Sequence, residues 1–151
     1  MSYRNTNFCR FLSYNSAQDT NVTGNGTVYT IIFDTEVFNY LGAYNNSTGV
    51  FTAPETGLYL FCGHIASSGY ATTNSPILLE LVTTLRTFRL FYSTGVNLIP
   101  TAYGMPFAVL CNMTAGNTAS IVLTVSGSVM DAVDVDGAAS PITYFSGKQV
   151  I

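Results

Sequence analysis

Seven residues between Phe33 and Phe61 constrain the fold more tightly than any other part of the chain. Phe33, Asn39, Tyr44, Phe51, Gly57, Tyr59 and Phe61 stand in the spacing F-x5-N-x4-Y-x6-F-x5-G-x-Y-x-F. Aromatic residues alternate from Gly57 to Phe61, which predicts a strand with Tyr59 and Phe61 on its buried face. Phe51 stands just before the turn residues 53–56 (A-P-E-T), so the chain is expected to fold it beneath those two rings. The spacing therefore predicts a strand, a long turn and a second strand, with Phe33, Phe51, Tyr59 and Phe61 in one core.

The rest of the chain has the same character. Short runs of Val, Ile, Leu, Tyr, Phe and Thr recur between clusters of Gly, Asn, Ser and Pro, without helical periodicity. Strands are predicted at Arg10–Tyr14, Thr27–Asp34, Gly49–Thr52, Gly57–Ala66, Ile77–Thr83, Thr87–Tyr92, Met105–Met113, Thr118–Ser126 and Ile142–Ile151. Strands at this spacing predict an all-β, antiparallel jelly-roll sandwich of about ten strands. A length of 151 residues suits a single domain spanning 1–151. Two runs, 28–33 and 107–113, are apolar on both faces. The outer face of a monomeric sandwich should be polar, so another chain is expected to cover these runs.

Composition narrows the partners. Charged residues make up 9% of the chain against roughly 25% in ordinary domains, and such sparse charge predicts apolar surface hidden in an oligomer. A net charge of −3 with five Lys and Arg gives no basic footprint for nucleic acid. No apolar run approaches the ~20 residues that would insert into a membrane as a helix. Met1–Arg10 lacks the basic-then-apolar layout of a secretory leader, so the chain either leaves by another route or is a C-terminal piece of something longer.

The seven-residue spacing resembles the signature of the complement C1q-type globular head, a branch of the tumour-necrosis-factor-like jelly rolls, in its microbial or viral form. One position departs: Gly63 stands where the signature usually has an aromatic residue. The likeness extends over nearly the whole chain, through residues 21–29, 49–59, 115–117 and 144–147, and departs again at Lys148 and Gln149. The resemblance implies a homotrimer whose three-fold axis is lined by Leu60, Cys62, Ala108, Leu110 and Phe145. It also implies a head carried on a fibre or a collagen-like stalk.

Candidate chemistry is sparse. Cys9, Cys62 and Cys111 are odd in number and lack metal spacing, so they read as small buried hydrophobes, with a disulfide between two of them or across chains as the alternative. His64 is the single histidine and is expected to be structural. Asp131, Asp134 and Asp136 form a D-x-x-D-x-D cluster whose oxygens are candidate ligands for Ca²⁺, the one cofactor considered; a solvated acidic loop is the alternative. Sequons at Asn21, Asn25, Asn45, Asn46 and Asn112 matter only in a eukaryotic secretory pathway. Tyr40, Tyr44, Tyr70, Tyr92 and Tyr103 fall in or beside predicted loops, where they either contact a ligand or pack loop bases onto the sandwich.

These observations predict a non-enzymatic trimeric head that recognises a protein or glycan ligand through its loops, outside the cell or on a virion or phage appendage. A purely structural trimerisation cap is the alternative. A glycan-acting enzyme would need two facing carboxylates, and the predicted strands supply only Asp34 and Glu80.

Overall fold

Thirteen strands and no helix make up residues 8–94 and 101–151, the part of the chain that a computed structural model describes. Residues 1–7, within the stretch considered above as a leader, lie outside the described residues. The strands are β1 (Arg10–Tyr14), β2 (Asp19–Thr23), β3 (Val28–Thr30), β4 (Thr35–Tyr40), β5 (Tyr44–Asn45), β6 (Val50–Thr52), β7 (Gly57–Ser68), β8 (Ile77–Thr83), β9 (Thr87–Ser93), β10 (Ala102–Met113), β11 (Thr118–Val125), β12 (Val133–Val135) and β13 (Tyr144–Gln149). All pairings are antiparallel. The larger sheet runs β2-β12-β7-β13-β1-β4, with β10 also along β7. The smaller runs β5-β6-β11-β8-β9, with β3 also on β11. This is a jelly-roll sandwich.

Alternation builds the core. Ile77, Leu79 and Leu81 of β8 and Ala119, Ile121, Leu123 and Val125 of β11 face inward and are buried. They meet the inward residues of β7, β10, β13 and β1 in one apolar cluster. Phe33, Phe51, Tyr59 and Phe61 are all in it and fully buried. Phe51 lies edge-on to Phe61, with ring centroids 5.1 Å apart, and this contact joins the two sheets.

The predicted strand 27–34 is only partly a strand. Beyond Thr30 the ladder stops, and the backbone is held by single bonds instead. The Ile31 N–H donates to the Ile121 carbonyl at 2.9 Å, and the Phe33 N–H donates to the Tyr44 hydroxyl at 3.1 Å. β2, β4, β5 and β12 were not expected. β2 and β4 end the larger sheet, and an edge strand half in water does not need an apolar face.

Candidate functional site

Three rungs of outward side chains cross five strands of the larger sheet, in the order β10-β7-β13-β1-β4. Strand register aligns Leu110, Leu60, Lys148, Arg10 and Tyr40; then Ala108, Cys62, Ser146, Leu12 and Phe38; then Pro106, His64, Tyr144, Tyr14 and Thr35. Apolar and aromatic groups dominate, and Leu110 is 56% exposed. The outward face of the smaller sheet is different. It is mixed: Leu78, Glu80 and Val82 of β8 lie opposite Thr124, Val122 and Ser120 of β11, and Arg89 Nε is 3.8 Å from the Glu80 carboxylate. The structure thus brings Leu60, Cys62, Ala108 and Leu110 together on one exposed apolar face.

Phe145 is not on that face, which corrects the sequence expectation. It is fully buried between the sheets, 5.0 Å from the Phe11 ring in an edge contact and 5.7 Å from Phe61. Tyr144, Ser146 and Lys148 take the outward positions of β13. Gly147 explains the phase. A Cβ there would stand 2.8 Å from Phe61 Cδ1 and meet the Phe11 ring more closely still, so the inward face of β13 at this point must be bare. Gly63 is the matching gap in β7. It is the cross-strand neighbour of both Phe107 and Phe145, and the Phe107 ring lies where a side chain on residue 63 would begin. An aromatic contributed by β10 therefore fills the place where the signature usually has one on β7.

The remaining signature residues clasp the turn between β4 and β5. Asn39 Nδ2 donates to the Tyr44 carbonyl at 2.8 Å, and the Tyr44 N–H donates back to Asn39 Oδ1 at 3.2 Å. Tyr44 then stacks on Phe11 at 4.7 Å. Burial pushes its hydroxyl well above the ordinary tyrosine range, and the neutral group accepts from Phe33 N–H. Tyr59 donates its hydroxyl to the Glu55 carbonyl at 2.7 Å, pinning the turn before β7.

The acidic trio divides into a pair and a single clamp. Asp134 accepts from the Asn21 N–H at 2.7 Å and from Gln18 Nε2 at 3.1 Å. Asp136 accepts from the same Gln18 nitrogen at 2.9 Å and from the Ser68 hydroxyl at 2.7 Å. Asp131 lies in the loop before β12, where it accepts from the Thr27 hydroxyl at 2.6 Å and the Asn25 N–H at 2.9 Å. Those two bonds hold its carboxyl below the usual range. Among the described residues no three acidic, histidine or cysteine side chains converge to hold a metal. β12 directs Val133 and Val135 into the core and spaces the carboxylates along the chain.

Asp131 instead secures one end of the sandwich. The Ser128 N–H donates to the Gly24 carbonyl at 3.0 Å, and Asn74 Nδ2 bonds both the Ser126 carbonyl and the Ser128 hydroxyl. Between these anchors Val129 and Met130 stand 91% and 64% exposed. Sequence reasoning missed this apolar tip, whose only signal was two large apolar residues inside a Gly/Ser turn.

The other candidates are structural. Tyr44 and Tyr70 are buried, whereas Tyr40 and Tyr92 are exposed, each with an arginine over its ring. Tyr70 exchanges a 2.6 Å bond with Ser67, and burial pushes its hydroxyl up to about 12. His64 Nδ1 donates to the Ile142 carbonyl at 2.6 Å, since a carbonyl can only accept. The three thiols are free; burial, with Glu55 nearby, pushes Cys9 up to about 11. Of the two carboxylates weighed for catalysis, Asp34 lies in the loop before β4 and Glu80 on β8 of the smaller sheet. The former is held by Ser16 and the latter lies beside Arg89.

The comparisons with known proteins agree with this geometry. A family model described as the C1q domain matches residues 14–97. Similar solved structures include the globular domain of zebrafish complement 1qA protein, at 16% identity and TM-score 0.62, covering 95% of this chain and 98% of that one. Murine APRIL at pH 8.5 follows at 9% identity and TM-score 0.60, covering 95% and 99%. Eiger TNF from S. frugiperda is similar at 10% identity and TM-score 0.57, covering 95% and 93%. At these identities the structural likeness concerns the fold alone. Among curated proteins the sequence has no match.

Proposed function

This chain belongs to the C1q domain family, and from that premise we propose that it is a homotrimeric head that binds a protein or glycan ligand on a cell or host surface. Domains of this family are non-enzymatic recognition and assembly modules, and so is this one. The observation that carries the trimer reading is the exposed rung system of Leu60, Cys62, Ala108 and Leu110 beside Leu12 and Phe38. Contiguous exposed apolar area of this kind marks an interaction surface. Leu110→Asp tests it, because assembly would bury an unpaired carboxylate in each copy. The variant should be monomeric by light scattering, while Thr87→Asp on the exposed edge of the smaller sheet should leave the assembly mass unchanged. Equal masses for both variants and the native protein would refute the assignment.

Ligand recognition is assigned to the loop end that carries Val129 and Met130, since binding residues sit on loops that a rigid scaffold positions. Three copies would add avidity for clustered ligands. Replacing both residues by serine should weaken attachment to ligand-bearing cells without altering assembly. Unchanged attachment would favour the purely structural cap. We place the head outside the cell or on a virion or phage appendage, at the end of a fibre or collagen-like stalk. Family membership supports this placement, and repeat sequence joined to the head in the parent protein would test it.

A further inference from the structure

Two of the chain's five lysines and arginines face each other across the β1–β13 pairing, Arg10 opposite Lys148. Both line a hollow of about 220 Å³ on the apolar face, together with Phe38, Leu60, Cys62 and Ser146. The Arg10 guanidinium carbon lies 4.2 Å from the Tyr40 ring centroid, which holds the planar group over the ring and leaves its edge for an anion. Acidic residues outnumber basic ones eight to five, yet neither cation has a carboxylate partner among the described residues. Like charges directly opposite one another destabilise a strand pair. Covering the face raises that cost, because a buried charge needs a counter-charge.

We propose that Arg10 and Lys148 form a recognition site for a polyvalent oxyanion such as phosphate, sulfate or a polycarboxylate, and that the bound anion strengthens self-association through this face. The coupling rests on the assembly proposed above; the anion site does not. A guanidinium edge offers two parallel donors to an oxyanion and the ammonium adds a point charge, so a doubly charged ligand neutralises the pair in one step. The Ser146 hydroxyl is already engaged with the Cys62 carbonyl at 3.1 Å, leaving the two cations as the binding groups.

The test compares low-millimolar inorganic phosphate with sodium chloride at equal ionic strength, reading melting temperature and light-scattering mass together. For the native protein the melting temperature should rise with the logarithm of phosphate concentration, and association should tighten relative to chloride. Lys148→Met should lose both responses, yet associate more tightly than the native protein in chloride, because one of the opposed charges is gone. General salting effects of phosphate would act on native protein and variant alike. Lys148→Gln provides the same comparison if the methionine variant misfolds. An equal melting temperature in both salts, or a phosphate response retained by both variants, overturns the site. Phosphate stabilisation of a protein that stays monomeric in both salts keeps the site and overturns the coupling. Association that ignores phosphate but fails in Lys148→Met assigns the counter-charge to a second copy's carboxylate and overturns the proposal.

Discussion

Phe145→Ala separates a core residue from an interface residue. The ring is fully buried and lies within aromatic contact distance of Phe11, Phe33, Tyr44, Phe61 and Phe107. An aromatic side chain buries about 150–250 Å², worth about 4–6 kcal/mol at ~25 cal/mol per Å². The alanine retains part of that burial, and measured Phe→Ala costs run at about 3–5 kcal/mol. Five ring neighbours place this site toward the upper end, about 4–5 kcal/mol. For a chain of this length that lowers the melting temperature by about 8–20 °C. The assay is urea unfolding followed by tyrosine fluorescence, there being no tryptophan, at two protein concentrations a hundredfold apart. A core defect lowers the midpoint at both concentrations. An unchanged midpoint together with a loss of assembly mass would return Phe145 to the outer face and refute the phase assigned to β13.

The remaining predictions concern single contacts. Gln149 faces inward with its Oε1 buried and unpartnered, so Gln149→Met should stabilise the fold by about 1 kcal/mol in urea, and a loss would show that the amide is satisfied. Tyr44→Phe leaves the Phe33 N–H without its acceptor and should cost about 1–3 kcal/mol by the same measurement. Desolvation pushes the Asp34 carboxyl up, but bonds from the Ser16 hydroxyl and N–H and from Thr35 outweigh it, and the net shift is downward. Its contribution is therefore full above the ordinary value of 3.8 and lost as pH falls through the lower folded value, so Asp34→Asn should flatten the acid limb of the stability curve. Millimolar Ca²⁺ should leave the melting temperature unchanged, because Asp131, Asp134 and Asp136 already accept bonds from protein donors; a saturable rise would restore the metal site.

The core was legible because alternation places the aromatic pair Tyr59 and Phe61 on one face of β7, and Leu79 and Leu81 on the face of β8 away from Glu80. β4 was not, since T-E-V-F-N-Y lies at a sheet edge, where Val37 and Phe38 are both exposed and no polar face is required. β13 was misread by one residue. Tyr144 and Phe145 are both aromatic, and a one-residue slip exchanges every side chain between faces. Lys148 held the missing signal: it shares its face with Tyr144, and a lysine is not placed inside a sandwich. For the acidic cluster, proximity in sequence along a strand and the loop before it does not by itself bring carboxylates to one point.

The central claim is that two further copies of this chain cover the outer face of the larger sheet. Sedimentation equilibrium at micromolar concentration tests it without any substitution. A mass close to three times 16.2 kDa, little changed by chloride because so few charges are available to screen, is the predicted result. A single 16.2 kDa species across the concentration range would contradict it and leave Leu60, Leu110 and Phe38 as apolar surface without an explanation.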